Sequence, residues 1–441
     1  MGTGRRLRPA GAVTAILGAV FVGLLVIGTP IAFAMLIAGL AAVALKPGMT
    51  ALVVTQNLFS GLDSFPLLAI PFFILAAELM SGGALTDVLL KFAARLVGMR
   101  RGGLGHANIL TLTFFSGISG SALADAAGPG AMLIKMMRQA GYKDSYAAAL
   151  TASVAIVGPI IPPSIIMIIY ALTDNSVTVT GLFLAGVVPG LLIALSLAVV
   201  NHIVSVRRGY RSTPELLDPA PLLLLFWRAL PALMLPLIIL GGIHFGIFTP
   251  TEASAAAVLY ALLVGRFVYG TLRWSMLPGI LYRTALMTAS ILFIVATSAV
   301  FAWVLTVGQI PQQVAGWIAG MELSPLMLLL AINVLLLIVG IFIEPLPGVM
   351  IMVPILGPLA DAAGLNPLHF AIVVIVNLTL GMITPPVGGL LFVTSIVSGV
   401  KMGPMVKEMR PMLVALLTVL LLLTYVPALS TWLPGVLGYR N

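Results

Sequence analysis

The sequence predicts an all-α polytopic membrane protein that contains an inverted repeat with two re-entrant helical hairpins and two broken transmembrane helices. Only 8% of the 441 residues are charged and 61% are hydrophobic, whereas about 25% of a soluble protein is charged. Apolar runs of about 20 residues, the length that crosses a bilayer, recur along the chain. The two Pro-Pro pairs, 162–163 and 385–386, stand in matching sequence contexts.

Composition excludes several classes of protein. So few charges cannot cover the surface of a water-soluble domain, which excludes a soluble enzyme, a disordered chain and a secreted module. Cysteine is absent, which excludes disulfides and thiolate metal sites. The net charge of +9 forms no clustered basic face for nucleic acid. It fits instead the positive-inside rule for a protein embedded in a lipid bilayer.

The lysine and arginine residues mark one side of the membrane. They fall into five groups, which the positive-inside rule places in the cytoplasm: 91–101, 135–143, 207–228, 266–283 and 401–410. Three apolar runs precede Arg95, at 12–28, 30–46 and 65–81, and the first is interpreted as a retained helix rather than a cleaved signal. Three crossings place the N-terminus outside, whereas Arg5, Arg6 and Arg8 favour the inside, so its side stays open.

The segment 102–134 is too short to cross the membrane twice. It has 33 residues and cytoplasmic groups at both ends. Two helical limbs of about 14 residues each would reach about 21 Å, whereas the hydrocarbon core is about 30 Å thick. We therefore predict a re-entrant hairpin over 102–137. Its Gly- and Ser-rich middle, 114–130, suits membrane depth only if it is buried in protein or lines a wet cavity.

A second hairpin follows from the same parity argument. The 117 residues between Arg283 and Lys401 contain no lysine or arginine. Two crossings leave the stretch 323–360, which contains the interrupted run GIFIEPLPGVMIMVP. We predict that this stretch is a hairpin entering from the opposite face.

The two proline pairs belong to an internal repeat. The segments GPIIPPS (158–164) and GMITPPV (381–387) agree at four of seven positions, with an offset of 223 residues. The same offset carries Gly117-Ile118 of the first hairpin onto Gly340-Ile341 of the second. A hairpin followed by a broken helix, over 144–173 and 367–399, therefore occurs twice. Inverted repeats with discontinuous helices are typical of secondary transporters.

Each broken helix offers a binding site for ions. An α-helix cannot run through Pro162 and Pro163, because proline lacks an N–H and clashes with the preceding turn. The carbonyls of residues 157–161 then lose helical partners, and a bound cation would satisfy several at once. The half-helix after the break points its amides at the site, which suits an anionic solute. For one motif alone, a plain proline kink would explain the pattern.

Candidate residues lie at the hairpin tips and the breaks. The candidate cation ligands are Ser119, Ser121, Gly158, Pro159, Glu344, Gly381 and Thr384. The candidate solute-binding residues are Ser121, Asp125, Pro163, Ser164, Pro386 and Thr394. Structural roles compete for some of them: Ser164 suits a helix N-cap, and Asp125 suits a hydrogen bond to the facing broken helix. The segment Thr249 to Glu252 reads as a capping box that begins a helix.

Six stretches carry a family resemblance. They are GLDSFPLLAIPFFILAAELM (61–80), FFSGISGSALADAAGPGAMLIKMMRQAGY (114–142), GPIIPPSIIMIIYA (158–171), LFLAGVVPG (182–190), GGIHFGIFTPTEASAAAVLYAL (241–262) and GMITPPVGGLLFV (381–393). Through them the chain resembles, over nearly its full length, the large membrane subunit of TRAP (tripartite ATP-independent periplasmic) transporters. The family often has an aspartate where this chain has Glu344, and an asparagine near Leu390, which bears on the second ion site.

The resemblance implies a fold, an activity and partners. The fold is of the elevator type, and the activity is sodium-coupled import of carboxylates or other anionic solutes, with Na⁺ co-transported across a bacterial inner membrane. The partners are a small four-helix membrane subunit and a soluble periplasmic binding protein.

The resemblance also implies a division into five regions. Residues 1–101 are scaffold helices with an interfacial arm, 102–206 the first transport element, 207–322 further scaffold with a linking helix, 323–400 the second transport element and 401–441 a C-terminal transmembrane helix.

Other functions remain as alternatives. A sodium/dicarboxylate-type symporter of the same architecture would work without a binding protein, and a channel would conduct without saturable coupling. An intramembrane enzyme would need a nucleophile–base pair or a metal cluster such as HExxH, and neither pattern is present in the sequence. No GK[ST] motif occurs, so a P-loop cannot supply the energy.

Overall fold

Helices make up this structure, a computed structural model that describes residues 9–44, 51–80, 84–98, 100–211, 218–319 and 324–439. Within these ranges no strand forms beyond an isolated bridge between Arg101 and Arg211. In chain order the helices are α1 (Pro9–Val26), α2 (Ile31–Ala44), α3 (Ala51–Leu62), α4 (Ala69–Met80), α5 (Ala84–Val97), α6 (Gly103–Ser119), α7 (Ala122–Ala127), α8 (Pro129–Gln139), α9 (Asp144–Ala155), α10 (Ile165–Thr173), α11 (Val179–Arg208), α12 (Leu222–His244), α13 (Pro250–Leu263), α14 (Leu277–Val307), α15 (Ile310–Ala319), α16 (Pro325–Phe342), α17 (Pro345–Ala362), α18 (Pro367–Gly381), α19 (Gly389–Ser398), α20 (Met402–Tyr425) and α21 (Ala428–Val436).

Several of these helices are long and apolar enough to cross a membrane. Among the described residues there are six such helices, or eight spans if each of two bent pairs counts as one. The bent pairs are α3 with α4, at 63°, and α20 with α21, at 61°. The chain is therefore an all-helical, multi-pass membrane protein, as the composition predicted.

The N-terminal part differs from the prediction in one helix. The sequence predicted three apolar crossings there and assigned no element to residues 51–62. The structure has α3 in this stretch, joined to α4 by a 3₁₀ turn, Phe65–Leu68. Its Thr, Gln, Asn and Ser residues interrupt the apolar pattern, so no continuous run marked it. Some predicted features lie outside the described residues. They are the basic residues of the first eight positions, the ends of two predicted runs (45–46 and 81) and the boundary at 323.

The helices pack in two groups. The peripheral group consists of α1–α5 and α12–α15. Within it α14 lies against α2, α3 and α4, while α13 packs on α4. The core group consists of α6–α11 and α16–α21. Within it α9 packs against the first hairpin (α6–α8), α18 packs against the second hairpin (α16 and α17), and both pack against α20. The groups meet where α5 contacts α6 and where α14 contacts α17.

The helices α9 and α18 form the centre of the core group. Every residue from Ser145 to Ala155 and from Leu368 to Gly381 is buried. Both helices are therefore enclosed by other helices on all sides.

Both central helices end a few residues before their proline pairs. The helix α9 ends at Ala155 and α10 begins only at Ile165. The helix α18 ends at Gly381 and α19 begins at Gly389. The residues between lack the α-helical ladder, because proline cannot donate to it. The predicted N-cap at the first break is confirmed, since the Ser164 hydroxyl accepts from the backbone N–H of Met167 at 3.4 Å.

The predicted capping box is also confirmed. The Thr249 hydroxyl accepts from the Glu252 backbone N–H, and the Glu252 carboxylate accepts from the Thr249 backbone N–H at 2.8 Å. This reciprocal pair begins α13, so these residues initiate a helix.

The helix α16 lies against the second break at a glycine. A Cβ on Gly340 would lie 2.8 Å from the carbonyl oxygen of Leu378 and 3.1 Å from the Cα of Gly381. Only a residue without a side chain permits this approach of two backbones.

We expect the Gly340→Ala substitution to destabilise the protein by about 1–3 kcal/mol, because the added methyl group must displace backbone atoms of α18. The measurement is the thermal unfolding midpoint in detergent. The matched control is Gly357→Ala in α17, where a Cβ meets open space. There alanine should stabilise the helix by about 0.5–1 kcal/mol. Shifts of the same sign in both variants would contradict this packing.

An ion cluster joins α20 to the ends of two other core helices. The two carboxylate oxygens of Glu408 lie 2.8 Å from Lys143 Nζ and 2.7 Å from Arg208 Nη2. The Glu408 side chain is only 9% exposed, whereas both cations reach solvent. The carboxylate therefore ties the end of α11 and the residue before α9 to α20.

We expect Glu408→Ala to lower the free energy of unfolding by roughly 1–3 kcal/mol. This loss is smaller than the loss from breaking a fully buried ion pair, because both cations can return to water. The control is Asp87→Ala, which breaks an exposed pair with Lys91 worth about 0.3–0.5 kcal/mol. Equal losses in detergent unfolding would show that the cluster contributes no more than a surface pair.

Candidate functional site

A cavity of about 390 Å³ lies between the two groups of helices. The peripheral group contributes residues of α4 and α14, and the core group contributes the hairpin tips and the breaks. The lining residues are Ile74, Ala77, Glu78, Ser119, Gly120, Ser121, Ala122, Leu123, Ala124, Pro159, Ile165, Ile166, Leu286, Met287, Ser290, Ile291, Ile294, Glu344, Pro345, Leu346 and Met382. The walls are mostly apolar, and their polar groups are serines and carboxylates.

The first hairpin tip rests directly on the first break. The helix α6 ends at Ser119, and Gly120 then adopts a left-handed backbone with φ of 61°. A Cβ on Gly120 would lie 2.6 Å from the carbonyl oxygen of Pro163, so both the turn and the contact require glycine. Ser121 follows as the N-cap of α7, accepting from the Ala124 backbone N–H at 3.4 Å.

Asp125 is fully buried behind this tip. One carboxylate oxygen, Oδ1, accepts a hydrogen bond from the Ser119 hydroxyl. The other oxygen, Oδ2, has no hydrogen-bond partner among the described residues. It faces the first break, because a Cβ on Gly158 would lie 2.7 Å from it. A buried oxygen without a partner is costly, so this position suits a cation.

The first break already satisfies some of its own backbone. The Ser164 hydroxyl donates to the Pro159 carbonyl at 2.6 Å, and the backbone N–H groups of Ile160 and Ile161 donate to the Val157 carbonyl. Ser164 is fully buried and is held by these local bonds.

The second hairpin tip rests on the second break in a similar way. Glu344 is the N-cap residue of α17 with Pro345 after it, and both line the cavity opposite Ser121. The backbone N–H of Gly388 donates to the Ile341 carbonyl at 3.2 Å, which joins the tip to the break.

Hydroxyls at the second break are satisfied within their own segments. The Thr384 hydroxyl donates to the Leu380 carbonyl at 2.9 Å, and the Gly381 carbonyl accepts from the Thr384 backbone N–H at 3.0 Å. The Thr394 hydroxyl, buried in α19, donates to the Leu390 carbonyl at 2.8 Å.

The structure brings together part of the predicted set. Of the candidate cation ligands, four line the cavity: Ser119, Ser121, Pro159 and Glu344. Gly158 lies directly behind it, against Asp125 and the first tip, whereas Gly381 and Thr384 belong to the second break without lining it.

The candidate solute residues are more dispersed. Ser121 lines the cavity, while Asp125 and Ser164 are buried beneath the first tip. Pro163 contacts Gly120, Pro386 lies in the second break and Thr394 lies in α19; none of the three is among the lining residues.

Sequence reasoning missed the charges on the peripheral side of the cavity. Neither Glu78 nor any basic residue is among the candidate site residues predicted from the sequence. In the structure Glu78 lines the cavity and accepts from Arg283 Nε of α14 at 2.8 Å. A carboxylate within the apolar run of α4 was the available signal, since ionisable residues in membrane helices mark functional sites.

Comparisons with known proteins agree on one family. Residues 18–429 match the family model described as "Tripartite ATP-independent periplasmic transporter, DctM component". The chain is 41% identical over 425 residues to the sialic acid TRAP transporter large permease protein SiaM of Vibrio cholerae, covering 96% of this chain and 99% of that one. It is 42% identical over 382 residues to the C4-dicarboxylate TRAP transporter large permease protein DctM of Pseudomonas aeruginosa, covering 87% and 89%.

A solved structure shares the fold. The crystal structure of the Alcanivorax borkumensis YdaH transporter superposes with a TM-score of 0.63 at 16% identity, over 95% of this chain and 98% of that one. At this identity the likeness concerns the fold alone. The sequence relatives are named as transporter permeases, so the protein is a transporter rather than an enzyme. The chain belongs to the DctM family, the large membrane component of tripartite ATP-independent periplasmic transporters.

Proposed function

We propose that the chain is the large permease subunit of a sodium-coupled, binding-protein-dependent importer of carboxylates or other anionic solutes. One observation carries this proposal: a fully buried aspartate, Asp125, directs an unpartnered oxygen at the interrupted helix beside the cavity. The inner membrane of a bacterium is the expected location, because the family name places the transporter at the periplasm.

Sodium fits the chemistry of the first tip. A carboxylate oxygen, serine hydroxyls and carbonyl oxygens are hard ligands that suit a hard monovalent cation. Asp125 alone cannot stay charged and unpaired in this apolar body without a large cost. A cation between Asp125 and the break would remove that cost and fix the tip that lines the cavity.

A second cation would bind at the second tip. Glu344 faces the cavity there, and the carbonyls of residues 381–384 lie at the adjoining break. Two tips, each resting on its own broken helix, support the interpretation of an inverted repeat with re-entrant hairpins.

An elevator movement fits the division into two groups. Both tips and both breaks belong to the core group, while Ile74 of α4 and Leu286 of α14 face them from the peripheral group. The facing surface is largely apolar, so the core group can slide without breaking many polar contacts. Such a movement would carry ions and solute together across the membrane.

The solute is a carboxylate or a related anion. Sialic acid and C4-dicarboxylates, which appear in the names of two relatives, both carry carboxylates. In this chain Ser121 and the start of α10, at Ile165, lie at the cavity wall and present a hydroxyl and helix amides. Bound sodium ions would offset the carboxylates of the site.

Two partners complete the proposed importer. The word "tripartite" in the family name calls for two further components. We expect a small four-helix membrane subunit that contacts the peripheral group and a soluble periplasmic protein that delivers the solute.

We expect Asp125→Asn to raise the sodium concentration for half-maximal uptake about tenfold or more, equivalent to about 1.4 kcal/mol of lost ion binding. The asparagine keeps the shape but loses the charge. Smaller shifts are expected for Ser121→Ala and Thr384→Ala. The measurement is uptake of labelled sialic acid and succinate into proteoliposomes that contain both membrane subunits, with the binding protein added.

The matched control is Thr418→Ala, which removes an exposed hydroxyl that bonds within α20, away from the cavity. It should leave the sodium dependence unchanged. Unchanged sodium dependence in all three site variants would remove the proposed ion sites.

We expect uptake to require the soluble binding protein, because solute selection lies outside this chain. Proteoliposomes with both membrane subunits should accumulate solute only after the binding protein is added. Saturable, sodium-driven uptake without it would favour the symporter alternative, and ion conductance without saturation would favour a channel.

A further inference from the structure

An ion pair lies at the peripheral rim of the cavity. Glu78 of α4 lines the cavity and accepts from Arg283 Nε at 2.8 Å. Arg283 lies one helical turn before Leu286 and Met287, which also line the cavity, so its side chain is on the same face of α14. The Arg283 side chain is 56% exposed and that of Glu78 is 19% exposed.

We propose that Arg283 is a carboxylate subsite at the mouth of the cavity, and that Glu78 competes with the solute for it and so promotes release. This inference rests on the proposed function, since it assigns a step to the same anionic solute. The positive-inside rule places Arg283 on the cytoplasmic side, which is the exit for an imported solute.

Arginine has the capacity for a second anion. Its guanidinium carries five N–H donors, and Glu78 engages the Nε donor. Because more than half of the side chain is exposed, its terminal nitrogens can reach a carboxylate that leaves the cavity, and such forked contacts are among the stronger hydrogen bonds in proteins. The position suits an anion that is held briefly rather than a permanent ligand.

Glu78 sets how long the anion stays. An unpaired guanidinium beside apolar walls would attract a carboxylate strongly, because the surroundings screen the charge less than bulk water does. With Glu78 in place the rim is nearly neutral, and the solute meets a weak site. The pair thus balances attraction of an anion against its release.

A purely structural role gives a different expectation. If the pair only braces α4 against α14, neutralising either residue would loosen the rim and affect anionic and cationic probes alike. Glu344, which also lines the cavity, is unchanged in all variants, so its charge has the same effect on the probes in each of them.

Thiol labelling tests the proposal without knowledge of the solute. The chain has no cysteine, so Ser290→Cys places one thiol on the cavity wall. In inside-out vesicles with the full transporter, we compare labelling rates of the anionic reagent sulfonatoethyl methanethiosulfonate and its cationic trimethylammonium analogue. The ratio of the two rates reports the charge of the mouth.

We expect Glu78→Gln to raise the anionic-to-cationic ratio about tenfold and Arg283→Gln to lower it by a similar factor. The double variant Glu78→Gln/Arg283→Gln should return close to the starting ratio. The control Lys91→Gln removes a cation of α5 that is not among the cavity-lining residues, and it should leave the ratio unchanged. Equal effects on both reagents in every variant would overturn the proposal and leave a brace.

Transport gives the second readout. In the three-component proteoliposomes, Glu78→Gln should slow net release of labelled succinate or sialic acid several-fold while exchange, which leaves the site occupied, changes little. Shifted labelling ratios without sodium-driven uptake would refute the proposed importer but keep the anion subsite. Sodium-driven uptake with normal release and normal ratios would refute the subsite alone.

Discussion

The close approach between hairpin tips and interrupted helices is the constraint on which the rest of this structure depends. At the first tip, Gly158 leaves room for the Asp125 carboxylate, and Gly120 turns against the Pro163 carbonyl. At the second tip, Gly340 and Gly381 bring two backbones into contact. Irregular backbone is tolerated at membrane depth only when protein or a wet cavity satisfies it. Each tip therefore supplies the protein contacts that stabilise the irregular backbone of its break.

This arrangement concentrates polarity in an apolar molecule. The central helices α9 and α18 are buried on all sides. Their breaks and the two hairpin tips place Pro159, serine hydroxyls and the Glu344 carboxylate at one cavity, with Asp125 buried behind the first tip. Leaving such groups unpaired would be costly, and the proposed ions would offset that cost. The proposed ion binding and the shape of the cavity would thus be linked through the same tip residues.

The peripheral group gives the cavity its second wall. The apolar residues of α4 and α14 make few polar contacts with the tips, whereas Glu78 and Arg283 place a balanced charge at the rim. A largely apolar wall would suit the proposed sliding, and a balanced ion pair would suit passage of the proposed anionic solute without trapping it.

The sequence alone determined the features that depend on neighbouring residues. The apolar composition identified a protein that lies in a membrane. The proline pairs identified the two interruptions after α9 and α18. The caps at Ser164 and Thr249 followed from local hydrogen bonding. The sequence missed α3, because polar residues interrupt its apolar pattern.

Tertiary structure decided which distant residues share the cavity. Glu78 and Arg283 are separated by 205 positions in the chain, and Ser121 and Glu344 line the same cavity only because the tips of two hairpins converge there. No local pattern encodes such contacts, since they arise from the packing of whole helices. The same packing left Thr394 and Pro386 away from the cavity lining, although the sequence made both of them candidate solute-binding residues.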